Sequence, residues 1–292
     1  MKIEAKQVKE LRDLTGAGMM DCKHALVETE GDIDKAIDYL REKGITKAAK
    51  KSSRIASEGI VTVYVSEDNK KASMIEVNSE TDFVAKNEEF VTFANKLAEI
   101  VANENPKNVE ELKGLEYEDG KTVEAILTEK IATIGENMSI RRFERIETEG
   151  TVEGYIHANG KIGVIVEVEG DNREVAKELC LQITALNPEY KDVEDIPAER
   201  VEKEKEVLAE QAKEEGKPEE IAKKIAEGRL GKFYEEVTLV NQVYVKDSSK
   251  KIKDILKENN TNVISYYRYE RGEGLEKRED DFAKEVMEQL KN

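Results

Sequence analysis

The sequence predicts an α+β protein. It has an N-terminal three-helix bundle, a duplicated strand-strand-helix core with antiparallel sheets, an inserted helical hairpin and a C-terminal helical module. Three observations lead there. Residues 58–94 match 149–185 without a gap, with eleven of the 37 positions identical, and self-similarity at a fixed offset marks a repeated unit. Within each copy, two β-like runs precede apolar residues at helical spacing. The charged stretch after Pro188 carries helical spacing too, broken once at Gly216-Lys-Pro218.

In chain order, Val8, Leu11 and Leu14 define an amphipathic helix over 5–15, ended by Thr15-Gly-Ala-Gly18. A second helix follows from about Met20 to Thr29. Asp32 caps a third through Ile33, Ala36, Ile37 and Leu40, with Gly44 as its stop. Residues 1–45 thus form a bundle too small to be more than marginally stable alone, which suits a binding role. Met19 and Met20, at its Gly-rich corner, suit either core or an adaptable contact surface. Residues 46–57, rich in Lys and Ala, read as a partly helical linker.

The first core copy, 58–142, begins with strands at 59–65 and 72–77 joined by Ser66-Glu-Asp-Asn69. Thr81 then caps one helix through Phe90, Phe93, Leu97 and Val101. Asp82 and Phe83 open its first turn. The plainest reading is that Asp82 complements the helix dipole and Phe83 begins the buried stripe. The repeat shifts the balance, because the second copy places Arg173-Glu174 there and a core position does not normally accept Glu174. Phe83 is therefore expected to be exposed at a loop-to-helix corner, where an aromatic beside a carboxylate suits a partner.

Between the copies, Asn105-Pro106 and 115–121 are loop-like, 122–131 is helical, and 134–142 runs into a β-like segment. The second copy is expected over 143–187 and 229–262. In it, 154–157 and 161–168 flank Asn159-Gly160, a type I′ hairpin signal that puts His157 near a hairpin tip, and a helix covers 174–186. The insertion, 188–228, carries helices over 197–215 and from Pro218 to Ala226, with Val201, Val207 and Leu208 facing Ile221 and Ile225. A strand over 236–245, a helix through Ile252, Ile255 and Leu256, and a strand over 262–269 follow. Gly272-Glu-Gly274 then marks off the C-terminal module, 263–292, whose helix over 280–291 carries Phe282, Val286 and Leu290.

Composition limits the function. Lys plus Arg total 47 against 64 Asp plus Glu, a formal charge of −17, so the bulk field repels nucleic acids and anionic membranes. The start lacks an apolar leader and no stretch approaches the ~18 apolar residues of a membrane span, so a cytoplasmic location is expected. Cys22 and Cys180 have no metal-type spacing and read as small buried hydrophobes. Two near-matches to a phosphate-binding loop, 114–122 and 154–161, have five intervening residues in place of four. With His24 and His157 as the only histidines, no nucleophile-base pattern forms, and no enzyme, metal or cofactor is expected. Glu76, Glu80 and Asp82 are a weak candidate for a hard cation, since a strand sets Glu76 back.

Two long segments carry a resemblance. Leu11-Arg-Asp-Leu-Thr-Gly-Ala-Gly-Met-Met-Asp-Cys-Lys23 and Glu76-Val-Asn-Ser-Glu-Thr-Asp-Phe-Val-Ala-Lys-Asn87 resemble the two signatures of the bacterial translation elongation factor Ts family. The likeness continues through Ile134-Gly-Glu-Asn137 and Gly272-Glu-Gly274 and covers essentially the whole chain. It implies a ubiquitin-associated-like N-terminal bundle, two core subdomains, a coiled-coil insertion and a C-terminal module. It implies a guanine-nucleotide exchange factor that binds elongation factor Tu with GDP. Nucleic acid, membrane and small-molecule substrates are not expected as partners. By the same resemblance Thr81, Asp82, Phe83 and Val84 form a wedge pressed toward the partner's Mg²⁺ site and phosphate loop. Arg12, Met19 and Met20 contact the GTPase domain, Ile134 and Gly135 lie in the same contact region, and His157 meets another domain.

Overall fold

The computed structural model describes residues 3–276. Helices and sheets mix as an α+β chain should, in two compact units. Of the described residues, one unit holds 3–62, 75–143 and 270–276; the other holds 63–74 and 144–269.

In the first unit α1 (Ala5–Thr15), α2 (Met19–Glu28) and α3 (Ile33–Lys51) close around Val8, Leu11, Cys22, Ala25, Leu26 and Ala36. Gly16 ends α1 at φ 65°, a left-handed cap whose N–H donates to the Arg12 carbonyl at 2.8 Å. Asp32 caps α3 by accepting from the Lys35 N–H. The next elements are β1 (Glu58–Val65), β2 (Lys71–Ser79), α4 (Asp82–Ala85), α5 (Glu88–Glu104), α6 (Val109–Gly114), β3 (Glu116–Glu118), β4 (Lys121–Thr122), α7 (Val123–Ile134) and β5 (Met138–Glu147). Strands β1, β2 and β5 form one sheet in that order. Against the expectation of one helix after Thr81, the chain makes a single turn and restarts, because Asn87 caps α5 by accepting from the Glu89 N–H at 2.8 Å. Asn108 caps α6 in the same way, inside a stretch that reads as loop on either side.

Gly44 does not stop α3. It lies buried where α3 meets α7, and a Cβ there would meet the Ala132 Cβ at 3.4 Å, so packing against α7 carries the helix past the glycine. The expected linker accordingly shortens, since 46–51 continue the helix.

The second unit contains β6 (Thr151–His157), β7 (Ile162–Val168), α8 (Arg173–Leu186), α9 (Ala198–Glu214), α10 (Glu219–Val237), β8 (Val243–Tyr244), β9 (Asp247–Lys251), α11 (Ile252–Glu258) and β10 (Val263–Glu270). Its sheet has the order β10-β7-β6, with β6 and β7 antiparallel, and buries Val164, Val166 and Val168 against Val175, Leu179 and Ile183 of α8. The duplication is visible in backbone chemistry. A Cβ on Gly59 would land on the Val77 carbonyl oxygen, and one on Gly150 on the Val168 carbonyl oxygen, pairs separated by the repeat offset.

Three expectations change here. Residues 236–245 are not a strand: α10 runs on to Val237 because Leu230, Phe233 and Val237 extend its apolar stripe into a cluster with Ile196, leaving two residues for β8. Toward the far end of the α9–α10 pair the seam is made by Ala212, Ala222 and Ala226. Val207 and Ile221 lie off the stripe and are exposed. Strand 263–269 belongs to the second sheet, not to a separate module, and the helix expected over 280–291 lies outside the described residues.

Candidate functional site

At the end of β2 the chain turns on a set of side-chain hydrogen bonds. Thr81 accepts from the Val84 N–H at 3.4 Å and so caps α4. A capping box would place a carboxylate at Val84 to take the cap residue's own N–H. Here the carboxylate comes from 55 residues away: Glu136 accepts from the Thr81 N–H at 3.0 Å and from the Thr81 hydroxyl at 2.7 Å. The neighbouring residues reciprocate, Glu80 accepting from the Asn137 N–H at 2.5 Å and from Arg54 at 3.3 Å. Asn137 closes the set by donating to the Arg54 carbonyl at 2.8 Å. Gly135, at φ 90°, ends α7 in a left-handed turn that only glycine adopts freely, and the chain bends there into Glu136.

On this base Phe83 is 81% exposed. Beside it, Lys86 bonds Asp82 at 2.6 Å and holds that carboxyl below its usual range, so Asp82 is anionic at neutral pH. Val84 and Ala85 face inward. Val84, named with the wedge in the sequence, is 8% exposed, and its side chain fastens the turn.

The other predicted positions fall as follows. Arg12, Met19 and Met20 are exposed on the N-terminal bundle. Ile134 and Gly135 are half-buried and adjoin Glu136, which brings them to the Thr81 turn. His157 is exposed in the second unit, paired with Ile162 across the hairpin, with Nδ1 3.2 Å from the Tyr155 hydroxyl. That hairpin is wider than a two-residue turn: Ala158, Asn159 and Gly160 all have positive φ, and the Lys161 N–H donates to the His157 carbonyl.

The acidic trio weighed as cation ligands is not assembled. Glu76 bonds Arg141 and Arg142, Glu80 bonds Arg54 and Asn137, and Asp82 bonds Lys86. Among the described residues no group of three or more His, Cys, Asp or Glu converges as a metal site, and no helix is long and apolar enough to cross a membrane.

A family model described as elongation factor TS matches residues 80–273, from the Thr81 turn to the Gly272 corner. Elongation factor Ts of Clostridium perfringens strain SM101 is 53% identical over 296 residues, covering 97% of this chain and 98% of that protein. Those of Halothermothrix orenii and Clostridium botulinum strain Alaska E43 are 49% and 50% identical, with 99% of each chain covered. The chain belongs to the elongation factor Ts family. As a member of this family it takes part in translation elongation, the step of protein biosynthesis the family name denotes. The sequence marks Thr81, Asp82 and Phe83, places Glu80 only in the acidic trio and Glu136 and Asn137 only within the segment 134–137, and does not itself show that these three and Arg54 fix this turn. The available signal was a Thr cap with Val, not Glu, three residues on, which leaves the cap N–H to find an acceptor elsewhere.

Proposed function

We propose that this chain is a guanine-nucleotide exchange factor for elongation factor Tu, acting in the cytoplasm and making or breaking no covalent bond. The observation that carries this reading is Phe83, an exposed phenyl ring beside an anionic Asp82, on a turn whose Thr81 is bonded to Glu136 and whose Val84 and Ala85 are buried. A folded chain gains nothing for its own core from such a ring, and a partner pocket is what it suits.

A GTPase holds GDP through Mg²⁺ and through backbone amides at its phosphate loop. Phe83 and Asp82, inserted there, would displace the metal's surroundings and turn a loop peptide, removing charge compensation from the diphosphate. Thr81 carries the turn, and Val84 roots it. Arg12, Met19 and Met20, with Ile134 and Gly135, would hold the partner's nucleotide-binding domain, and His157 would meet another of its domains. The wedge then works against an anchored partner. GDP and GTP are released alike, and the excess of GTP sets the direction.

The test is release of labelled GDP from elongation factor Tu, with and without the chain. Acceleration by catalytic amounts supports exchange. Binding without acceleration would leave a passive scaffold instead.

A further inference from the structure

The exposed ring of Phe83 sits two residues beyond a backbone amide held from far along the chain. A side chain that must push needs a mount that does not yield, and α4, four residues long, cannot supply one alone. We propose that Glu136 is the positioning residue of the exchange site: its carboxylate, bonded to both the N–H and the hydroxyl of Thr81, locks the turn that aims Phe83. This deepens the exchange reading and rests on it for its functional consequence.

Four features of the geometry converge on this. Both oxygens of Glu136 are used, and both on one residue, at 3.0 and 2.7 Å, which fixes direction as well as distance. The Thr81 hydroxyl donates to Glu136 while accepting from the Val84 N–H, so the lock and the helix cap share one oxygen and strengthen each other. Glu80 and Asn137 tie the same two loops a second time, through a residue next to each partner of the first tie, and Arg54 bonds both. Finally, the sister copy is built differently at this point. Its cap residue, Asn172, turns its side-chain amide onto the Glu169 carbonyl, and the helix behind it runs unbroken through Leu186 with Glu174 at the position of Phe83. The long-range carboxylate accompanies the copy that presents the ring.

The experiment compares wild type, Glu136→Ala and Glu136→Gln by amide hydrogen exchange at Thr81 and Val84, and then by GDP release from saturated elongation factor Tu, alone and combined with Phe83→Ala. In Glu136→Ala the two amides should exchange at least about tenfold faster while the main unfolding transition stays cooperative. Glu136→Gln keeps an acceptor for the Thr81 N–H and should restore most of the protection. GDP release should slow about tenfold in Glu136→Ala, and Glu136→Ala should slow it no further when Phe83 is already replaced by Ala, because the carboxylate acts through the ring. Unchanged protection at Thr81, or full additivity of the two substitutions, would overturn the assignment. If wild type itself fails to accelerate release, the exchange reading falls, and the amide measurements still decide whether Glu136 locks the turn.

Discussion

Glu76 is a fully buried carboxylate that takes hydrogen bonds from Arg141, Arg142, the Asn78 amide and the Gly272 N–H. Burial alone would raise its pKa. The Gly272 N–H, the Asn78 amide and the two guanidiniums outweigh it and hold the group below 4.5. A folded pKa below the unfolded one gives stability that is complete above the unfolded pKa and lost as pH falls through the folded one. Wild type should therefore lose stability as the pH drops below about 4.5, and Glu76→Gln should flatten that part of the profile. At pH 7 the same substitution leaves two guanidiniums facing a neutral amide. It should cost on the order of 2–3 kcal/mol, the low end for breaking a buried pair because both Arg side chains keep some water contact. Urea midpoints from pH 7 to pH 3 decide the matter, and parallel profiles for the two proteins would refute it. The sequence shows Glu76 twice, here and as Glu167 in the second copy, but not its partners: Gly272 lies 196 residues on and reaches Glu76 only because a left-handed glycine passes the Ser57 carbonyl. Phe83 was legible for the opposite reason, since its exposure is declared by a single residue, Glu174, in the sister copy.

At the scale of elements, the repeat and the apolar spacing place most helices and strands, and the misplacements share a cause. Gly44 looks like a helix stop when only its own chain is considered, and Lys86-Asn87 contains neither Gly nor Pro and so hides a helix break. What decides each is packing from elsewhere: α7 against Gly44, and the buried Val84 and Phe90 on either side of Asn87. This gives a prediction with two signs. Gly44→Ala removes a helix-interior glycine, worth up to ~1 kcal/mol, and its methyl meets Ala132 at an ordinary contact distance of 3.4 Å, so a gain of about 0.5–1 kcal/mol is expected. Gly44→Leu adds three further carbons where α3 lies on α7 and should cost about 1–3 kcal/mol. Thermal unfolding of the two variants tests this; if both move stability the same way, contact with α7 does not limit the size of the side chain at position 44.

For the whole molecule, exchange is a coupling between two binding equilibria, and coupling is reciprocal. If the chain weakens GDP binding to its partner 10⁴-fold, GDP must weaken binding of the chain by the same factor, a coupling of roughly 5.5 kcal/mol. One exposed phenyl ring does not supply that much, so in the proposed mechanism other contacts that differ between the two complexes would supply the rest, while Arg12, Met19, Met20 and His157 would hold the partner. Anchor and wedge are separable by measurement. An anchor contributes equally to the nucleotide-bound and nucleotide-free complexes; a wedge favours only the second. Phe83→Ala should therefore reduce the coupling by about 2–3 kcal/mol, roughly 30- to 150-fold, and do so identically whether read as GDP affinity with and without the chain or as chain affinity with and without GDP. Its own unfolding temperature should hardly move, because an 81% exposed ring contributes little to the fold. Met20→Ala should behave the other way, weakening both complexes alike and leaving the coupling intact. Should Phe83→Ala follow the Met20 pattern, the ring is one more anchor, and the energy that expels the nucleotide has to come from other contacts that differ between the two complexes.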